Sequence, residues 1–422
     1  MDQVVCPAKV SGVVTAPPSK SAMQRACAAA LLRNGTTVLH NPGVSADDEA
    51  ALQIIQTLGA SVQNKGGEVI ITSNGEVQSV TGTFNCGESG LSVRMFTPIA
   101  ATAAQHFVVN GSGSLLQRPL HFFETVLPPL GVQCASNNGR LPLHIQGPLL
   151  PKDITVDGSL SSQFLTGLLF AYSAAGATGV RIYVQNLQSK PYIDLTLKLM
   201  HDFGLSTPTH NNYEVFVFED QPTVSHQQLN YTVEGDWSGA AFLLVAAAVA
   251  GELDIKGLDL QSAQADRAVL QALKSAGAQL YFHNQEIQIK KSALQAFSFD
   301  ATHCPDLFPP LVALAAYCKG TSHITGVHRL THKESNRALT LQQEFGKLGI
   351  RILCTGTDMF VKGGPVQSAT ISSHHDHRIA MACAVAALGA GGPVTIQDAQ
   401  AVNKSYPQFW EHLRGLCHFA LY

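Results

Sequence analysis

The sequence predicts an α/β protein of two domains, each built from three copies of one supersecondary unit, and three observations carry that prediction. A glycine-centred phrase returns at Gly59, Gly131, Gly204, Gly277 and Gly349, at intervals of 72, 73, 73 and 72 residues. A fixed period of this size marks a unit copied along the chain. Six stretches that are almost wholly apolar keep the same beat, and a helix apolar on all sides is a buried one. Finally, 422 residues hold six units of about 70, more than one core comfortably takes.

Taken in order, residues 4–14 read as a strand with no unit of its own, expected to complete the C-terminal domain. The chain then crosses between domains near Thr15–Ser19 and Val233–Asp236, the first crossover stiffened by Pro17 and Pro18. Each unit reads as a buried helix with a polar start, a strand, a surface amphipathic helix and a two-stranded hairpin opened by the glycine. The buried helices are SKSAMQRACAAALL from Ser19, SGLSVRMFTPIAATA from Ser89, SSQFLTGLLFAYSAA from Ser161, WSGAAFLLVAAAVA from Trp237, DLFPPLVALAAY from Asp306 and DHRIAMACAVAALGA from Asp376. ADDEAALQIIQTL and AQADRAVLQALKSA exemplify the surface helices, GASVQNKGGEVIIT and GAQLYFHNQEIQIK the hairpins. The expected domains are 19–234, and 1–18 with 235–422.

Composition narrows the function. At 45% hydrophobic and 14% charged, with no apolar run near the roughly 18 residues of a membrane span, the chain is expected in water. MDQVVCPAKVSG lacks the basic-then-apolar pattern of an export signal. Nine scattered cysteines without a CxxC pair fit reduced thiols in a cytosol. A net charge of −3 argues against nucleic acid as the main partner, so any anion site must be local.

Helix starts suit anions, because their first N–H groups lack intrahelical partners and carry the positive end of the dipole. Lys20, Ser21 and Arg25 begin the first buried helix, and two such cations are too costly to bury unpaired. Ser161 and Ser162, with Gln163, form a natural phosphate cradle; capping explains one serine but not two. Arg118 precedes a proline that can start a helix. Ser189, Lys190, Pro191 and Tyr192 make another helix start. Asp306 opens the fifth buried helix, with N-capping as its plain structural role, and Lys333, Glu334 and Arg337 admit simple salt bridging along a helix. Arg378 and Lys404 complete the set. Six cations, Lys20, Arg25, Arg118, Arg337, Arg378 and Lys404, thus face only Asp306 and Glu334 as nearby acids, which points to substrates carrying several negative charges. HHDH at 374–377 is no metal site on this reading, since adjacent residues diverge and no second cluster supplies ligands.

PPSKSAMQR, SGLSVR, QRP, DGSLSSQFLTGLL, SKPYIDLT, EGDWSGAAF, PDLFPPLVALA, KESNR, DHRIAMA and NKSYPQF, in this order along the whole chain, resemble the 5-enolpyruvylshikimate-3-phosphate synthase family. The resemblance implies an inside-out α/β barrel in each of two domains, each of three βαβαββ repeats. It implies transfer of the enolpyruvyl group of phosphoenolpyruvate to the 5-hydroxyl of shikimate 3-phosphate, with no cofactor, no metal and a monomeric chain. Ser161, Ser162 and Ser189 would hold the 3-phosphate, and Arg25 and Ser21 the carboxylate of that substrate. Gln163 and Tyr192 would position its ring, and Asp306, beside Lys333, its reacting hydroxyl. Lys20, Arg118 and Lys404 would hold the phosphate of phosphoenolpyruvate and Arg337 and Arg378 its carboxylate, with Gly90 and Gln163 close against it. Asp306, Glu334 and Lys20 would share the proton transfers.

Three departures from the family pattern stand out: Glu88 in place of asparagine, Arg329 where another polar residue is common, and Asn336 in place of the aspartate of KESDR. Glu88 is expected to pair with Arg94 or Arg118. The sister transferase that uses UDP-N-acetylglucosamine carries a loop cysteine five residues before the arginine matching Arg118, and Gly113 stands there. A non-catalytic phosphosugar-binding module would be expected to lose Asp306, Glu334 or an arginine, and all are present.

Overall fold

The computed structural model describes residues 1–220, 227–283, 286–331 and 333–418, and the chain divides into two compact units, Pro18–Val233 and Met1–Pro17 with Glu234–Tyr422. The middle of the expected hairpin turn in GAQLYFHNQEIQIK, residues 284–285, lies outside the described residues.

In the Pro18–Val233 unit three helices lie in the middle: Lys20–Leu32, Gly90–Ala100 and Ser162–Ala174. They pack on one another, with nearly every residue of the first two buried. Three four-stranded sheets carry them, each a parallel pair extended by an antiparallel hairpin. Gln228–Thr232 runs parallel to Asn34–His40, Thr83–Asn85 to His106–Asn110, and Ile154–Asp157 to Val180–Gln185. The first sheet is therefore closed by a strand from the end of the unit.

The other unit repeats the plan around Trp237–Ala250, Phe308–Ala316 and His377–Ala387. Lys9–Thr15 lies parallel to Gly251–Lys256, Ser298–Asp300 to Thr321–Thr325, and Thr370–Ser372 to Val394–Gln397. Among the described residues the last sheet has no hairpin of its own; Gln3–Val5 takes that place, antiparallel to Val394–Gln397.

The recurring glycines sit just past helix ends, with φ of 114°, 86°, 72°, 84° and 82° at Gly59, Gly131, Gly204, Gly277 and Gly349. Residues with a side chain avoid this left-handed region, so the periodic glycine is a helix stop. Two expectations need correction. The single strand over 4–14 is two, Gln3–Val5 and Lys9–Thr15, because Pro7 has no N–H for a ladder. The surface helix of the second unit breaks into Gly113–Gln117, His121–Val126 and Pro128–Leu130, interrupted by Pro119, Pro128 and Pro129. Pro119 therefore starts no helix, and Arg118 lies at the end of the Gly113–Gln117 turn instead.

Candidate active site

In the Pro18–Val233 unit the polar starts of the buried helices gather the expected residues. Ser19 caps Lys20–Leu32 by accepting from Ala22 N at 3.3 Å, which places Lys20 at the first turn. Its ammonium is paired with Asp47 Oδ2 at 2.8 Å. Asp47 belongs to the surface helix Ala46–Thr57, where two consecutive acids look like a favourable first turn. The structure separates them. Asp48 closes a capping box with Ser45, and burial pushes its carboxyl up to about 7, while buried Asp47 reaches Lys20.

Arg25 is buried, and three of its five possible donors are engaged. Nε donates to Thr196 Oγ1 at 2.9 Å, Nη1 to the Ser21 carbonyl at 2.8 Å and Nη2 to the Tyr192 carbonyl at 3.4 Å. Burial lowers its pKa to about 10, still charged at neutral pH. The Thr196 hydroxyl in turn lies 3.0 Å from that of Thr166, so one arginine joins three helices. Pro191 opens the helix that carries Tyr192 and Thr196, and Ser189, just before it, holds a left-handed φ of 56°. Ser161 caps Ser162–Ala174 through Gln163 N at 3.3 Å, leaving Ser162 buried in the first turn. The side-chain oxygen of Gln163 accepts from Arg94 Nη1 at 2.8 Å, and that guanidinium lies over the Phe164 ring.

Gly90 shows why a side chain is excluded there. A Cβ on Gly90 would stand 2.3 Å from Arg118 Nη1 and 3.2 Å from Arg94 Nη1, so the space is taken by guanidinium groups. The Glu88 carboxylate accepts from Ser114 N at 3.2 Å and Ser114 Oγ at 3.1 Å, and fills the space above Gly113.

The second unit holds a denser charge network. Asp306 Oδ1 accepts from Arg337 Nη1 at 2.7 Å and Lys333 Nζ at 3.3 Å, and Oδ2 from Arg378 Nη2 at 3.0 Å. Burial works against its charge, but Arg378, Lys333 and Arg337 outweigh it and hold the carboxyl well below the usual range. Burial lowers the pKa of Lys333. Arg337 is itself buried and also grips Glu334 and Asp376, the latter through Nε at 2.8 Å. Lys404 Nζ stands 3.9 Å from Glu334 Oε1. Asp306 does not cap its helix: the turn Pro305–Leu307 follows Cys304 with no side-chain cap. Asn336 caps Arg337–Lys347 by accepting from Leu339 N at 3.4 Å, so this departure from the family pattern preserves the helix start.

The expectation of only two acids is corrected here. Asp47 answers Lys20, Asp376 answers Arg337, and a further buried acid, Asp266, lies in this unit. All three sit at helix starts, where an acid suits the dipole whatever else it does; a lysine in a buried helix without an acid nearby was the available clue to Asp47. The members of 374–377 go separate ways: His374 meets Glu344 at 2.8 Å, Asp376 holds Arg337, and His377 enters the buried helix. No helix among the described residues is long and apolar enough to cross a membrane.

The model of the EPSP synthase (3-phosphoshikimate 1-carboxyvinyltransferase) family matches residues 4–413. A 3-phosphoshikimate 1-carboxyvinyltransferase of Methanocorpusculum labreanum is 36% identical over 425 residues, covering 99% of this chain and 98% of the relative. One from Clostridium novyi is 33% identical over 418 residues, covering 96% and 95%. The solved structure of the EPSP synthase of Acinetobacter baumannii superposes with a TM-score of 0.83 at 27% identity, over 99% of this chain and 98% of that one. With helix starts that collect cations, serines and paired acids, and with likeness that runs from end to end, the chain belongs to the EPSP synthase family.

Proposed function

We propose that the chain transfers the enolpyruvyl group of phosphoenolpyruvate to the 5-hydroxyl of shikimate 3-phosphate and releases phosphate, and that its two polar clusters divide the work. Ser161, Ser162 and Ser189 take the 3-phosphate, using hydroxyls and the free N–H groups of a helix start. Ser21 and the two remaining donors of Arg25 take the carboxylate, and Gln163 and Tyr192 flank the ring. Lys20, Arg118 and Lys404 take the phosphate of phosphoenolpyruvate, while Arg337 and Arg378 take its carboxylate by charge-assisted contacts. Gly90 leaves room for Arg118 to do so.

The observation that carries the reading is Asp306, ionised and held by Lys333, Arg337 and Arg378. A carboxylate in that state accepts the proton of the 5-hydroxyl as its oxygen bonds to carbon 2 of phosphoenolpyruvate. The methylene carbon gains a proton from an acid, Lys20 or Glu334. The tetrahedral ketal then loses a methyl proton to a base while the bond to the phosphate oxygen breaks. Placed proton donors and acceptors contribute about 100- to 10,000-fold in such steps. Cations on the departing phosphate stabilise its charge, and holding two substrates together removes an entropic barrier.

The test is phosphate release on mixing the chain with shikimate 3-phosphate and phosphoenolpyruvate, with UDP-N-acetylglucosamine as control acceptor. Release with the first acceptor alone is expected. Release only with the second, or with neither, overturns the reading.

A further inference from the structure

Glu88 has no part in these steps, yet the segment around it meets both ends of the turn that leads to Arg118. Residues 86–90 run beside residues 110–118. Cys86 N donates to the Asn110 carbonyl at 2.8 Å, and Ser112 N to the Gly87 carbonyl at 2.8 Å. One residue on, the half-buried Glu88 side chain crosses to Ser114, where its Oε2 accepts from both Ser114 N at 3.2 Å and Ser114 Oγ at 3.1 Å. Ser114 lies in the opening of Gly113–Gln117, whose first N–H groups need acceptors, and Ser112 before it makes no side-chain cap. Glu88 supplies the missing acceptor from a neighbouring segment.

The fit is mutual. A Cβ at 113 would stand 2.3 Å from Glu88 Cδ, and the φ of 53° at Gly113 already favours glycine. The carboxylate thus occupies the room that the absent side chain leaves. At the far end of the turn Arg118 N donates to the carbonyl of buried Leu115 at 3.1 Å, and the Arg118 guanidinium covers Gly90, two residues beyond Glu88. Residues 88–90 therefore hold the start of the turn and face the side chain that ends it.

We propose that Glu88 is a positioning residue for Arg118, clamping Ser114 so that the Gly113–Gln117 turn presents the guanidinium above Gly90. The proposal rests on the assignment of Arg118 to the phosphate of phosphoenolpyruvate made above. A carboxylate near an anion site repels the anion, so Glu88 is retained at a cost that its hold on the turn must outweigh. With the clamp gone, the turn samples positions that leave Arg118 out of reach, and apparent affinity falls by the fraction of time the competent position is held. A hydrogen bond to a charged acceptor, at the low end of its range, sets that fraction at about one-tenth. A bound phosphate draws the guanidinium back into place, so the chemical step itself changes little.

The experiment measures KM for phosphoenolpyruvate and kcat at saturating shikimate 3-phosphate, with Kd for shikimate 3-phosphate beside them. The chains compared are the natural one, Glu88→Ala, Glu88→Gln, Ser114→Ala, Arg118→Ala and the double variant Glu88→Ala with Arg118→Ala. Glu88→Ala should raise KM about tenfold, with kcat and the Kd for shikimate 3-phosphate little changed. Glu88→Gln keeps the length and an acceptor oxygen, so it should recover most of that loss; Ser114→Ala keeps the N–H and should fall between the natural chain and Glu88→Ala. Because Glu88 acts through Arg118, the double variant should raise KM no further than Arg118→Ala alone. An unchanged or lowered KM in Glu88→Ala overturns the proposal, a lowered one showing that repulsion is what the carboxylate contributes. Fully additive losses in the double variant, or an equal loss of shikimate 3-phosphate binding, overturn it as well. Should Glu88→Ala fail to fold, Ser114→Ala carries the same comparison, alone and combined with Arg118→Ala. A raised KM in Arg118→Ala beside an unchanged one in Glu88→Ala removes the role of Glu88 alone; an unchanged KM in Arg118→Ala removes the assignment of Arg118 and this proposal with it, and absence of turnover in the natural chain sinks the assigned reaction and both.

Discussion

Asp306→Asn separates two jobs that one carboxylate holds. The amide keeps the shape and one acceptor oxygen, but it loses the charge and turns a donor toward a guanidinium or ammonium. At least one of the contacts at 2.7, 3.0 and 3.3 Å is lost. Hydrogen bonds to charged groups contribute about 1.5 to 3 kcal/mol, and with the side chain about one-fifth exposed the lower figure applies. That loss falls on the ligand-free protein; once a substrate carboxylate occupies the arginines, the competition has already ended. Phosphoenolpyruvate should therefore bind about tenfold tighter, the equivalent of about 1.4 kcal/mol. Turnover should fall by about 100- to 10,000-fold, because the proton acceptor is gone. Single-turnover phosphate release reads the second effect, and calorimetric titration with phosphoenolpyruvate in the presence of shikimate 3-phosphate reads the first. Turnover within tenfold of the natural chain would refute the role of base. Weaker binding would refute the claim that Asp306 and the substrate share the same arginines.

Ser189→Gly should leave the melting temperature unchanged or slightly higher while raising KM for shikimate 3-phosphate at least tenfold. A left-handed residue with a side chain costs about 1 to 2 kcal/mol and glycine's added freedom returns about 0.5 to 1, so a clear loss of stability would show that Ser189 serves the fold instead. Gly90→Ala should push Arg118 from its place, since the new methyl falls 2.3 Å from Nη1; phosphoenolpyruvate affinity should drop with the fold intact, and unchanged affinity would argue against Arg118 as a ligand. Thr196→Val strips Arg25 Nε of its acceptor and Thr166 of its partner, both buried. A fall of about 1 to 3 kcal/mol in denaturant unfolding is expected, and an unmoved midpoint would mean that Arg25 finds another acceptor.

What sequence reading reaches, and where it stops, follows from the range of the forces involved. The buried helices and the glycine stops of the surface helices were legible because both are local: apolarity on every side needs no neighbour to be recognised, and a left-handed stop admits little but glycine. The broken helix at 113–130 was open to view in its prolines, yet the copied pattern of the other units overrode them. Pairing is another matter. Arg25 and Thr196 are 171 positions apart, and nothing near either residue names the other. Asp376 looks like a cap and is one, its carboxylate accepting from Arg378 N at 3.0 Å, while the same group also holds Arg337. Double duty of this kind leaves no separate mark in a sequence.

The N-terminal strands also set a timetable for biosynthesis. Gln3 finds its partner at Ile396, 393 positions later, and Lys9–Thr15 waits for Gly251–Lys256. At about 5 to 20 residues per second on the ribosome, the first strand stays unpaired for roughly 20 to 80 seconds. The stretch 18–233, by contrast, holds all of its own sheet partners once Gln228–Thr232 has emerged. A nascent chain should thus carry one finished globule alongside an early segment with open edges, which makes that segment the natural client of a chaperone and the natural seat of mispairing between neighbouring chains.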